Sequence, residues 1–301
     1  MEQIKDYLWK GKPGCLLRVT GEDAFGYLQT QFTNKVLSEP GSFTYGLWLN
    51  RKGKVRADSF IFCSGSEEFY VLSYYIEAGV LKPIIEENIV ADDVEIEDLT
   101  SDFLIYSFFG MNSSAFSFKE GQFSGSFPDK VYFFGKRGQD YNYDLLIHNS
   151  KKHAPLLNEV ENKISYIDEP GEFLEKARII SSIPRVGLDI TEDHLPQEGG
   201  LEKRAVHFNK GCYLGQEVMA RIHAQGRVNR GLFFITIQCE NINLPATIIS
   251  KETSKVLGSL TSYYREGDSI NGLAILKKSG LSKGIEVEGR TDMVVDFVLV
   301  S

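Results

Sequence analysis

The chain has 301 residues, 42% of them hydrophobic and 25% charged, with 33 Lys+Arg against 41 Asp+Glu for a formal net charge of -8. That length exceeds one small domain and suits two or three packed units, and ordinary apolar and charged shares exclude wholesale disorder. The acidic balance argues against broad electrostatic binding to nucleic acid, and no run approaches the roughly 18 apolar residues of a membrane span.

The opening Met1 to Asp6 lacks the basic-then-apolar pattern of a signal peptide, so the expectation is a cytoplasmic protein with no membrane partner. Residues 15–19 read as a buried strand, and Thr20 is placed to cap a helix whose apolar stripe is Ala24, Leu28 and Phe32. Gln29, Gln31, Thr33 and Asn34 cluster at its end, where solvated side chains are the simpler reading and a polar pocket wall the sharper one. Residues 45–50 and 57–62 form a hairpin around Arg51-Lys52-Gly53-Lys54, followed by a strand over 69–73. Asp58 falls inside the second hairpin strand, where a carboxylate needs either solvent or a polar cavity.

A helix over 76–88 carries Pro83 at its start or at a kink, and a strand follows near 94–99. Further strands are expected over 103–109, 130–134, 141–147 and 164–167, with 110–129 the most loop-like stretch. A helix near 153–161 precedes one opened by Glu169-Pro170-Gly171, with Phe173, Ala177 and Ile180 on one face. Pro and Gly keep 183–202 irregular, and that long loop brings Asp189, Asp193, His194 and Glu198 close to the next feature.

The segment Lys210-Gly211-Cys212-Tyr213-Leu214-Gly215-Gln216-Glu217 sets one cysteine between glycines, with a helical repeat of Leu214, Val218 and Ile222 beginning there. A helix N-terminus and a neighbouring lysine both favour a thiolate over a thiol. A buried cysteine packed as a small hydrophobe is the alternative. Arg221, Arg227 and Arg230 could line a local basic cleft. Cys15, Cys63, Cys212 and Cys239 are scattered without a C-x-x-C pair, so spacing offers no zinc or cluster motif and no metal ligands are assigned. From 232 onward, strands over 232–238, 246–250, 256–262, 270–276, 285–288 and 294–300 suggest a small barrel or sandwich.

Lys210 to Glu217 resembles the K-G-C-[FY]-x-G-Q-E signature of the YgfZ family, folate-binding proteins related to the aminomethyltransferase T-protein of the glycine cleavage system. Supporting stretches are Thr20 to Ala24 with Tyr27 to Asn34, Lys52 to Asp58, Ala91 to Asp98, Pro196 with Glu198, and Lys255 to Ser262. The resemblance implies an α+β fold: two ferredoxin-like, T-protein-like α+β units over 1–230 and a C-terminal small β-barrel over 231–301, arranged as a ring. It also implies tetrahydrofolate as cofactor, iron–sulfur client proteins as partners, and assembly or repair of their clusters as the role.

By position in the family pattern, Glu198 is expected to hold the pterin and Arg230 to contact folate, while Asp58 lies where the T-protein has its catalytic aspartate. Cys212 and Lys210 are then the candidate reactive groups, and Tyr213 and Gln216 join the folate-binding set. Two departures from the T-protein stand out: Ala57-Asp58 replaces paired aspartates, and Cys212 has no T-protein counterpart. The alternatives are a true aminomethyltransferase using Asp58, and a scaffold for client proteins with folate as a structural or sensing ligand.

Overall fold

In a computed structural model, the described residues are 7–109, 121–135, 143–163, 171–239, 241–281, 284–290 and 295–300. The first sheet is built from β2 (Cys15–Thr20), β3 (Phe43–Leu49), β4 (Val55–Gly65), β5 (Glu68–Ser73) and β6 (Glu95–Asp98), in the order β3-β4-β5-β2-β6. Its strands alternate as a two-faced sheet requires. On β4, Ala57, Ile61 and Cys63 face a core shared with Ala24 and Leu28 of helix α1 (Ala24–Gln31) and Leu81 and Ile85 of α2 (Ala78–Glu86). Pro83 lies inside α2, among its last residues. The Thr20 cap is not formed: Asp23 is the N-cap, without a side-chain bond to the helix. Asp23 Oδ2 is taken instead by the Asp93 N–H at 2.8 Å.

Phe60 and Phe62 point to the opposite face, which packs on a second sheet. That sheet comprises β1 (Tyr7–Gly11), β7 (Phe103–Phe109), β8 (Ser124–Ser126), β9 (Lys130–Phe134) and β10 (Tyr143–His148), in the order β1-β7-β10-β9-β8. Between the sheets, Phe43, Phe60 and Phe62 meet Phe103, Ile105 and Phe133 in an aromatic layer, with Phe62 and Phe133 edge to face at 5.0 Å. Helix α3 (Ala154–Lys163) covers the far face of this second sheet with Leu156 and Leu157. The expected strand over 164–167 lies outside the described residues.

Helix α4 (Glu172–Ile180) turns a different face inward from the one expected: Leu174, Ala177, Arg178 and Ile179 are buried, while Phe173 is exposed. Its buried Arg178 is the reason, because the guanidinium must reach Asp189 in the neighbouring loop. Arg178 donates to Asp189 Oδ2 at 2.7 Å, to the Ile183 carbonyl at 2.6 Å and to Glu175. Two short helices follow, α5 (Glu202–Ala205) and α6 (Gln216–Gln225).

The last sheet contains β11 (Arg230–Gln238), β12 (Ala246–Ser250), β13 (Val256–Glu266), β14 (Ser269–Lys277), β15 (Ile285–Val287) and β16 (Val295–Leu299). Its order is β15-β12-β13-β14-β11-β16. It curls into a half-barrel, so that Val287 and Val295 on its two edge strands share one interior with Ile235, Leu260 and Leu276. The intervening residues Leu232, Leu273 and Ile275 point outward into the core of the first sheet. Period-two alternation thus makes one sheet both a barrel wall and a packing surface. No helix among the described residues is long and apolar enough to cross a membrane.

Candidate functional site

The irregular segment from Ile183 onward is held at both ends. Asp189 is fully buried; besides Arg178 it accepts the Arg185 N–H at 2.8 Å and the Thr261 hydroxyl of β13 at 2.6 Å. Further on, the Val55 N–H donates to the His194 carbonyl at 3.0 Å and Lys54 Nζ to the Asp193 carbonyl at 3.0 Å, tying the loop to the β3–β4 hairpin. A 3-10 turn, Pro196–Gly199, then sets Glu198, 7% exposed, with Oε2 accepting the Leu195 N–H at 2.8 Å and lying 4.0 Å from Lys54 Nζ. Among the described residues the other carboxylate oxygen has no hydrogen bond.

Glu198 and Arg230 line one cavity of about 520 Å³ with Lys54, Asp193 and Lys277. It continues, through Asp193, Arg230 and Lys277, into a cavity of about 420 Å³ bounded by Leu257, Thr261 and Ile275 of the half-barrel. Volumes of this size suit a small organic ligand. His194 lines this second cavity, where burial holds its imidazole below the ordinary value, opposed by the Glu198 charge and reinforced by Arg230. Its Nδ1 accepts the Thr191 N–H at 3.1 Å. The sequence reading anticipated the Glu198–Arg230 meeting only through family resemblance; Arg221 and Arg227 line neither cavity.

Asp58 sits elsewhere. Two residues before Phe60 on β4, it continues the aromatic face to its end, where Tyr45, Tyr74 and Tyr75 replace phenylalanines. The Tyr45 hydroxyl donates to Asp58 Oδ2 at 2.9 Å, while Oδ1 is buried with no hydrogen-bond partner. Burial lifts the Asp58 carboxyl to about 6, countered by the Tyr45 hydrogen bond and the charge of Arg185. The simpler expectation of a solvent-facing carboxylate is therefore corrected. The space beside it is only about 20 Å³, enough for about one water molecule, with Arg178 and Arg204 in its walls. Asp58 does not share the cavities of Glu198 and Arg230.

The Lys210–Glu217 segment crosses from the end of α1 to the β3–β4 turn. Lys210 Nζ donates to the carbonyls of Gln29, Phe32 and Asn34 at 2.8, 2.7 and 2.8 Å, satisfying acceptors that the end of α1 leaves open. Burial pulls the Lys210 ammonium down to about 8. The Leu214 N–H then bonds the Thr30 carbonyl at 3.0 Å. Gly215, at φ +85, comes so close to the turn that an added Cβ would lie 2.8 Å from the Asn50 carbonyl oxygen.

Between these anchors Cys212 is exposed, which sets aside the packed-hydrophobe alternative. It lies before α6 rather than on it, since Gly215 is the N-cap. Tyr213 is buried, its ring 5.5 Å from the Lys210 ammonium and its hydroxyl without a hydrogen-bond partner; burial raises that phenol to about 12. Gln216 is half-buried in the first turn of α6. Cys212, Tyr213 and Gln216 do not line the Glu198–Arg230 cavities. The link between the two places is the hairpin turn: Gly53 packs against Val218 of α6, and Lys54 enters the cavity.

The polar cluster after α1 proved structural. Thr33 is buried, donating to the Ala205 carbonyl at 2.6 Å and accepting the Leu47 N–H at 2.8 Å, and the Gln29 amide brackets the Val36 backbone. Residues missed by sequence reasoning are Lys54, Tyr45 and Lys277. Tyr45 was discernible in principle, since it shares the face of Phe43 two residues away. Among the described residues no cluster of three metal-ligating side chains occurs.

Comparison with known proteins fits this geometry. A family model described as the GCVT N-terminal domain matches residues 16–116. The tRNA-modifying protein YgfZ of Buchnera aphidicola subsp. Schizaphis graminum is 26% identical over 242 residues, covering 76% of this chain and 72% of the relative. A mitochondrial iron–sulfur cluster assembly factor homolog of Dictyostelium discoideum is 23% identical over 273 residues, covering 80% of this chain and 65% of the relative. The glycine cleavage system aminomethyltransferase T of Bartonella henselae has the same fold, with a TM-score of 0.81 at 15% identity over 98% of this chain and 85% of that one. The signature loop, the matched N-terminal region and the relatives over three quarters of the chain make this protein similar to YgfZ proteins, and its fold is that of the glycine cleavage T-protein.

Proposed function

We propose that the chain binds a reduced folate, tetrahydrofolate, in the Glu198–Arg230 cleft and supports assembly or repair of iron–sulfur clusters in client proteins. The observation that carries this reading is Glu198: a buried carboxylate with one oxygen locked by the Leu195 N–H and the other open beside a cavity of about 520 Å³. Those residues fit the cofactor. A carboxylate accepts N–H bonds from a pterin amide edge, and Arg230 offers donors to a carboxylate or carbonyl. Bound tetrahydrofolate supplies a nitrogen nucleophile that carries one-carbon units. The chain's own part is to orient it with Glu198 and Arg230 and to keep His194 neutral in the adjoining cavity.

Cys212 is assigned the contact with a cluster or one-carbon unit because it is exposed on a loop pinned at both ends. Lys210 is a positioning residue in this scheme, since its donors are directed to backbone carbonyls. Tyr213 and Gln216 brace the loop beside the cleft. Division at 230/231 into a folate-binding part and a barrel, and a cytoplasmic setting, belong to the same proposal. The names of the relatives support cluster assembly and also raise tRNA modification; the net charge of -8 weighs against broad nucleic-acid binding.

Anaerobic calorimetry tests the reading. Tetrahydrofolate is expected to bind the native protein and to lose at least about tenfold in affinity with Glu198→Ala. Absence of binding by well-folded native protein would overturn it. The aminomethyltransferase alternative is favoured by one observation, a partly desolvated Asp58 whose carboxyl is lifted to about 6, towards the range useful for proton transfer. Methylene-folate formation by the native protein, abolished in Asp58→Ala, would establish it.

A further inference from the structure

Arg230 and Lys277 stand directly opposite each other in the antiparallel register of β11 and β14. Like charges facing across neighbouring strands are destabilising, and a nearby acid normally offsets them. Neither cation forms an ion pair among the described residues. Lys277 Nζ makes only a 3.3 Å contact with the Val256 carbonyl. Asp193 lines both cavities with them, yet ion-pairs with neither. Lys54, the third cation at the cleft, is already committed to the Asp193 carbonyl and to Glu198.

Both opposed cations border both cavities, and beyond them the wall turns apolar, with Leu257 and Ile275 and the exposed Leu188 and Val256. The cleft therefore offers an acceptor for N–H groups, an apolar wall for a ring, and two cations side by side that no ion pair among the described residues engages. An anion between Arg230 and Lys277 would relieve their repulsion, which a neutral ligand could not do.

We propose that Arg230 and Lys277 form a paired-cation seat for the carboxylates of a ligand tail, and that Lys277 makes the site prefer folates bearing glutamate over the bare pteroate. This rests on the folate reading and adds a specificity-determining residue to it. The carboxylate tail, and not the pterin, is what Lys277 discriminates.

Anaerobic calorimetry on the full chain would compare tetrahydrofolate with tetrahydropteroate for the native protein, Lys277→Gln and Lys278→Gln. The last removes the same charge from a neighbour that lines neither cavity. The native protein and Lys278→Gln are expected to prefer tetrahydrofolate by about fivefold or more, and Lys277→Gln to lose most of that preference with tetrahydropteroate affinity unchanged. Equal binding of both ligands by the native protein, or an unaltered preference in Lys277→Gln, would overturn the proposal. If the native protein binds neither, the folate reading falls, and glutarate decides the anion seat. Thermal protection by glutarate that Lys277→Gln abolishes upholds the seat; no protection of the native protein sinks it.

Discussion

Asp58 and Glu198 are two carboxylates at the edges of one core, and their surroundings differ in kind. Asp58 closes an aromatic layer, takes one tyrosine hydroxyl, and faces a space of about 20 Å³. Glu198 is fixed by its own turn, lies 4.0 Å from Lys54, and opens on about 520 Å³. Burial therefore outweighs the nearby arginines at Asp58 and opposes its charge, whereas Glu198 has Lys54 beside it and room for a ligand. The difference teaches that residue type alone does not mark a binding acid: a free oxygen beside ligand-sized space does.

The two places are separated by the Arg178–Asp189 pair, whose guanidinium borders the Asp58 space and whose carboxylate borders the ligand-sized cleft. Removing one partner strands a buried charge, so Arg178→Met is expected to cost about 3–5 kcal/mol in chemical denaturation and to merge the two environments. Retention of native stability would mean that the separation needs no ion pair. Lys210→Met leaves three carbonyls at the end of α1 without their donor. It should cost about 2 kcal/mol and speed alkylation of Cys212 as the loop loosens. An unchanged alkylation rate would show that the Gly215 contact alone positions the thiol.

Asp58 gives the pH test. Its folded carboxyl, lifted to about 6, keeps a proton that the unfolded chain, at its ordinary value of 3.8, has already released. Stability contributed there falls as pH rises between those values and stays lower above them. Asp58→Asn should flatten that segment of the stability curve and gain on the order of 1–2 kcal/mol at neutral pH. The smallest effect is expected at Cys212→Ser. An exposed thiol replaced by a hydroxyl should shift unfolding by less than about 0.5 kcal/mol, so lost client activity in that variant would report chemistry.

Much of the architecture was legible because local pattern and fold agree. The hairpin around Arg51 to Lys54 and the strands of the half-barrel were readable from alternation bounded by turn residues, and β12 matches its expected span. What failed depended on distant partners. β1 is a strand because β7, some hundred residues later, pairs with it: Trp9 faces Ser107 and Lys10 faces Tyr106. Helical periodicity in α4 could not reveal that Arg178 would turn inward, since its acid lies in a loop whose path sequence does not give.

The candidate site shows the same division. Cys212, Lys210, Glu198 and Arg230 stand in quotable motifs. Lys277 does not, because its meeting with Arg230 is fixed by a β11–β14 register that spans the intervening β12 and β13. Thr33 and Gln29 looked like solvated side chains because nothing nearby in sequence announces the backbone groups they satisfy.

The close approach of Gly215 to Gly53 joins chain positions that emerge far apart during synthesis. Neither glycine can take up that contact until the N-terminal hairpin and the signature segment both exist, so the native shape of the thiol-bearing loop depends on a non-local contact. Nascent or truncated chains ending before that segment would leave the Asn50–Lys54 turn uncovered. Cys212 is thereby presented in its native setting only by molecules whose two distant halves have already come together.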